Sequence, residues 1–77
     1  MNNRKLTLKT TGVTLEIEKT ETGFVATILF FRANCKGKPS QTPLLATLEA
    51  IEQFSIEHDD TPFPYHELRN AAVMFLR

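Results

Sequence analysis

From Leu6 onward, apolar and polar positions alternate. Leu6, Leu8 and Thr10 fall on one side and Lys5, Thr7 and Lys9 on the other; after Thr11-Gly12 the pattern resumes with Val13, Leu15 and Ile17 against Thr14, Glu16 and Glu18. A period of two marks a strand with one covered face, so these two runs predict a β-hairpin. A two-residue turn at Thr11-Gly12 pairs Thr10 with Val13, Leu8 with Leu15 and Leu6 with Ile17, and it sets Lys5 opposite Glu18 with Lys9 diagonal to Glu16. Apolar pattern and charge pairing agree on that register.

The next run, residues 23–32, is rich in β-branched and aromatic side chains and predicts a third strand. A turn at Glu21-Thr22 puts Phe24, Ala26, Ile28 and Phe30 on the face of Val13, Leu15 and Ile17, and leaves Val25, Thr27, Leu29 and Phe31 on the other face; a slip of one residue exchanges the two sets. Residues 34–40 contain Cys35, Gly37 and Pro39 among polar neighbours and read as a loop. Thr42 then suits a helix N-cap with Pro43 at the first helical position, and Leu44, Leu45, Leu48, Ile51 and Phe54 recur at helical steps. Thr61-Pro62-Phe63-Pro64 ends that helix. Pro64 can open a second one in which Tyr65, Leu68, Ala71, Ala72, Phe75 and Leu76 share a face; the competing reading makes residues 72–76 a further strand.

These elements compose a two-layer α+β fold in one domain, residues 1–77. A three-stranded antiparallel β-meander (about residues 5–10, 13–19 and 23–32) is packed by an amphipathic helix (about 43–58) and a short closing helix (about 64–76). The apolar fraction of 42% and charged fraction of 23% belong to a chain that folds rather than a disordered one. A chain of 77 residues builds a small core, so a bound partner or a second copy is an expected source of added stability.

The formal net charge of zero conceals a division. Residues 1–38 hold seven basic and three acidic side chains, net +4; residues 39–77 hold two basic and six acidic, net −4. If the halves form different faces, the molecule is electrically polarised.

Candidate chemistry is sparse. Glu49, Glu57, Asp59 and Asp60 form an acidic series on and after the first helix, which reads as a solvated face in preference to a metal site. His58 beside Asp59-Asp60 and His66 beside Glu67 have no nucleophile in register. Lys36 and Lys38 beside Cys35 would favour its thiolate, but the residue reads as an incidental loop cysteine in preference to an activated one. Gly12, Gly23 and Gly37 are spread over separate turns, which leaves no phosphate-cradling loop. No catalytic residue, metal ligand or cofactor is assigned. The first residues carry no apolar run of signal-peptide length and the longest apolar stretch is residues 24–31, so the expected location is cytoplasmic, without a membrane anchor.

Two surfaces remain as candidates for a macromolecular partner. One is the stripe Val25, Leu29 and Phe31, interleaved with Thr7, Thr14 and Thr27 on the face the first helix leaves open; the other is the acidic series Glu49, Glu57, Asp59 and Asp60, able to imitate nucleic-acid phosphates. Strand 3, as a sheet edge, would also accept a strand from a partner. Arg32, Lys36 and Lys38, with Phe30 and Phe31 near enough to stack on bases, form a candidate nucleic-acid contact that the acidic helices oppose unless they face away.

The run Gly23-Phe24-Val25-Ala26, the turn with Cys35 and Gly37, and Leu44, Leu48 and Ile51 on a helix together resemble the sheet-then-helix core of HicB-type antitoxins, a shortened ribonuclease H-like layout, over about residues 5–56. The resemblance rests on pattern, does not extend to the DNA-binding segment usual in such antitoxins, and assigns no site residue here. The function expected from the residues is that of a small non-enzymatic protein, of the kind found in phages or mobile elements, that binds and modulates or inhibits another protein. The alternative is a nucleic-acid-binding or antitoxin-like regulator using the basic strand 3 loop, and third, a small metal-dependent enzyme; a second copy forming a homodimer is kept beside a protein partner as what the chain could bind.

Overall fold

The protein, described here by a computed structural model covering residues 5–10 and 12–76, is an α+β fold of two layers. Four strands come first, β1 (Lys5–Thr10), β2 (Val13–Thr20), β3 (Gly23–Phe30) and β4 (Ala33–Lys36), and two helices follow, α1 (Pro43–Glu57) and α2 (Tyr65–Leu76). The sheet is an antiparallel meander in the order β1-β2-β3-β4.

The expected hairpin register is the observed one, with Thr10 opposite Val13, Leu8 opposite Leu15, Leu6 opposite Ile17 and Lys5 opposite Glu18. In the turn between them Gly12 takes φ 79°, a conformation glycine adopts without a Cβ penalty; Thr11 lies outside the described residues. β3 also pairs as anticipated, Val13 with Phe30, Leu15 with Ile28 and Ile17 with Ala26, so Ala26 and Ile28 join Val13, Leu15 and Ile17 in the core. Thr20 Oγ1 donates to the Gly23 carbonyl across the turn at 3.0 Å. The ion pair forms on the other diagonal from the one anticipated: Lys5 Nζ, not that of Lys9, lies 3.9 Å from Glu16 Oε1.

A fourth strand replaces the expected loop. β3 stops at Phe30, Phe31-Arg32 form a two-residue turn, and β4 runs back with Ile28 opposite Cys35 and Phe30 opposite Ala33. The alternation that makes this strand is short: Ala33 and Cys35 point into the core side and Asn34 and Lys36 away from it. Pairing continues past β4, where the Gly37 amide donates to the Ala26 carbonyl at 2.9 Å and Phe24 and Ser40 bridge. β3 is therefore an interior strand, and the proposal that it offers a free edge is corrected. The edges are β1 and β4.

Helix α1 begins as predicted: Pro43 opens it and Thr42 Oγ1 accepts a hydrogen bond from the Leu45 amide at 3.1 Å. Its buried face is rotated from the expected one. Ala46, Thr47, Ala50, Ile51 and Phe54 are buried, whereas Leu44 is half-buried and Leu45 exposed. The cause is close approach, since a Cβ on Gly37 would stand 2.6 Å from the Ala50 amide nitrogen. Only small side chains fit between the helix and the sheet there, so Leu45 turns outward while Leu48 packs at the margin of the core. Thr47 is satisfied within the helix, its Oγ1 donating to the Pro43 carbonyl at 2.9 Å.

Residues 72–76 are helical, which settles the alternative in favour of α2. Leu68 and Ala72 are buried in α2, with Tyr65 and Leu76 half-buried beside them; Phe75, expected to close the core, is exposed. α1 lies over β3 and β4, and α2 lies beside α1 over β1, both on the same sheet face. No helix among the described residues covers the other face, and none is long and apolar enough to cross a membrane.

Candidate functional site

At one end of the sheet the Phe31-Arg32 turn meets an aromatic series. A two-residue hairpin connection needs positive φ at its first central position, which is why Asn and Gly dominate there. Here that position is Phe31, at φ 55°, and its side chain is 87% exposed. Its ring stands edge-on to Phe30, centroids 4.7 Å apart; Phe30 meets Phe63 at 5.1 Å, and Phe63 stacks on the fully buried Phe54 at 4.3 Å. His58 and Tyr65 flank the series, each 4.7 Å from a neighbouring ring. Such edge-on and offset contacts favour fixed ring orientations. The exposed Phe31 is thus propped from beneath by rings that reach into the core, and the exposed Arg32 follows it in the turn.

The proposed stripe divides. Val25 and Leu29 lie on the uncovered sheet face, opposite Glu18 and Thr14, and both are half-buried by their neighbours. Phe31 leaves that row, because the strand ends one residue earlier and the turn swings its side chain to the tip. The rest of that face carries Lys5, Thr7, Lys9, Glu16, Thr27 and Lys36, the make-up of an ordinary solvated side of an antiparallel sheet.

The acidic series also divides. Glu49 is half-buried on α1, Glu57 closes α1 and accepts a hydrogen bond from Gln53 Nε2 at 2.7 Å, and Asp59 and Asp60 are exposed in the turn that follows. Among the described residues no three His, Cys, Asp or Glu side chains gather into a metal-holding group. Arg32, Lys36 and Lys38 are all exposed; Arg32 belongs to the tip, while Lys36 sits on the uncovered face opposite Thr27.

Cys35 is a buried strand residue and not the loop cysteine expected, and the alternative of a favoured thiolate is not met either. Strand alternation sends Lys36 to the opposite face, so burial and then the neighbouring Glu57 carboxylate push the thiol above its ordinary value. Between the helices runs an open groove of about 600 Å³ lined by Leu48, Glu52, Ser55, Tyr65, Arg69 and Val73.

The charge division becomes a division between layers. Within the described residues, the sheet and its turns through Lys38 hold six basic and three acidic side chains, and residues 39–76 hold one basic and six acidic. The helices thus carry the negative charge on the side away from the uncovered sheet face.

Sequence reasoning missed the aromatic support. Phe63 stands between two prolines and reads only as part of a helix break, yet its ring joins the sheet to α1. Compared with known protein families, curated proteins and solved structures, the chain matches none.

Proposed function

We propose that this protein is a non-enzymatic interaction module that modulates or inhibits a protein partner, with the hairpin tip as its anchor. Phe31 enters an apolar pocket of the partner and Arg32 pairs with a carboxylate at the pocket rim. The observation that carries this reading is Phe31 itself: a large apolar side chain held 87% exposed, on a backbone with φ 55°. The backbone conformation costs of order 1–2 kcal/mol and the exposed ring gains little burial in return, so the single edge-on contact with Phe30 offsets the cost only in part. Aromatic and arginine side chains dominate binding hot spots, and an anchor already fixed in orientation loses little entropy on docking.

The test compares nuclease-treated affinity capture by the native chain and by Phe31→Gly. A protein retained by the native chain and lost by the variant, with both folded, supports the proposal. Equal retention, or none by either, overturns it.

A second reading is direct nucleic-acid binding through Arg32, Lys36 and Lys38, with Phe31 stacking on a base. What favours it is the placement of the acidic helices on the far side of the sheet, which removes their opposition to a phosphate backbone. It predicts binding to single-stranded oligonucleotides that weakens steeply with salt and is lost on combining Lys36→Glu with Lys38→Glu.

A further inference from the structure

β4 forms one margin of the sheet, and among the described residues no strand lies beyond it. Ala33 and Cys35 stand opposite Phe30 and Ile28, and the Gly37 amide donates to the Ala26 carbonyl, so these alternate residues bond inward to β3. In an antiparallel ladder the residues between them direct their N–H and C=O groups the other way. Asn34 and Lys36 thus hold a donor and an acceptor each along a free edge that starts at the Phe31-Arg32 turn.

Side chains follow the same alternation. Arg32, Asn34, Lys36 and Lys38 are exposed, whereas Ala33, Cys35 and Gly37 are half-buried or buried. A period of two sets successive members of the exposed row about 7 Å apart, and three of the four are cationic. Lys36 lies opposite Thr27 and Asn34 opposite Leu29, and residues 22–48 contain no Asp or Glu. The ion pair found among the described residues is Lys5 with Glu16, on the β1 side of the sheet. No such contact neutralises the β4 row. The covered side of this edge has the opposite sign: α1 passes over Gly37 at Glu49 and Ala50, and Glu57 stands beside Cys35.

From this we infer that β4 takes up an extended segment of the protein partner as a fifth strand, one that turns acidic side chains toward Lys36 and Lys38 and neutral or basic polar ones toward Glu49 and Glu57. Edge lysines ordinarily deter strand addition. That deterrence has a sign, and carboxylates opposite the lysines turn it into attraction. A second copy of β4 brings a second set of cations to the same face, and an apolar strand leaves the lysines unpaired. A phosphodiester strand meets the lysines but offers acceptor oxygens alone, which leaves the Asn34 and Lys36 carbonyls without donors and sets phosphates near Glu57. A peptide backbone supplies donor and acceptor at each step.

The inference rests on the reading of the partner as a protein, and it names the part of that partner which the edge holds. Three probes test it on the full chain: a peptide alternating Glu with Thr, its neutral counterpart alternating Gln with Thr, and a single-stranded oligonucleotide. Fluorescence anisotropy reads binding and amide hydrogen exchange reads its place. The acidic peptide is expected to bind and to slow exchange at Asn34 and Lys36 while the β1 amides stay unchanged. Binding is expected to fall about tenfold or more with the neutral peptide, and by as much on combining Lys36→Glu with Lys38→Glu; Lys9→Glu, on the far edge, leaves it unchanged. An acidic peptide that does not bind, that binds without protecting Asn34 and Lys36, or that binds more weakly than the oligonucleotide overturns the inference. Phe31→Gly separates this result from the anchor reading, since it is expected to keep peptide binding and lose partner capture. Capture that depends on Phe31 with no peptide binding sinks the edge alone, and peptide binding without capture by the native chain sinks the anchor alone.

Discussion

Gly37 lies so close beneath helix α1 that a Cβ added to it would stand 2.6 Å from the Ala50 amide nitrogen and 2.7 Å from its Cα. Both are backbone atoms, unable to move aside as a side-chain tip would. Gly37→Ala is therefore expected to push α1 off β4 and to destabilise the fold by about 1–3 kcal/mol, read as a lower denaturant midpoint at unchanged slope. A neutral result would mean that the helix sits farther from the sheet.

Thr42 caps α1 through one hydrogen bond, its Oγ1 accepting from the Leu45 amide. Thr42→Ala leaves that amide to solvent and is expected to cost about 1 kcal/mol, lowering Tm by roughly 4–8 °C in a domain of this size. Thr42→Ser should restore most of the loss.

Phe63 touches Phe30, Phe54 and Tyr65 from a half-buried position between β3 and α1. Its truncation to alanine opens a gap at the junction of the two layers, and the expected loss is about 2 kcal/mol or more. The same variant frees the Phe30 ring that supports Phe31. Partner capture should weaken in Phe63→Ala even under conditions where the variant is fully folded.

The raised pKa of Cys35 links stability to pH. Above the ordinary thiol value of 9.0 the unfolded chain sheds a proton that the native chain retains. With fewer protons bound in the unfolded state, stability falls as pH rises from about 9 toward the higher native pKa. Denaturant titrations at pH 8 and pH 10 should show this decline in the native chain, and a smaller one in Cys35→Ala. Thiol reagents should label Cys35 slowly until the protein is unfolded.

Phe31→Gly removes a positive-φ penalty of about 1–2 kcal/mol and forfeits one edge-on ring contact worth about 0.5–1.5 kcal/mol. With glycine's added unfolded-state entropy the terms nearly cancel, and the expected outcome is a domain within about 1 kcal/mol of the native stability that has lost its anchor. Thermal melts check the first part and affinity capture the second. A drop of several kcal/mol would assign Phe31 a structural role instead.

What the sequence made legible is the part governed by long, clean periodicities. Six residues of strict alternation from Val13, together with charges that pair across the ladder, specify the first three strands and their register. Thr42-Pro43 specify where α1 begins. Three features escaped for physical reasons. β4 has only four residues and follows Phe-Arg, a dipeptide without the usual turn chemistry, so nothing local announced a hairpin. The rotation of α1 depends on Gly37, distant in sequence, which lets the helix backbone at Ala50 come close to the sheet. The candidate site moved for the same cause as β4: once the strand ends at Phe30, Phe31 belongs to a tip and not to the stripe with Val25 and Leu29.

The meander also governs the order in which the chain can assemble. Each strand pairs with the strand just before it, the three hairpins have two-residue connections, and both helices come afterwards. Local connectivity of this kind favours rapid folding. During synthesis, however, the sheet emerges with Val13, Leu15, Ile17, Ala26 and Ile28 bare on one side until Ala50, Phe54 and Leu68 arrive to cover them. A nascent chain stalled before α1 should therefore be the species that chaperones bind and that aggregates, and a circular permutant that places the helices first should shorten that exposure.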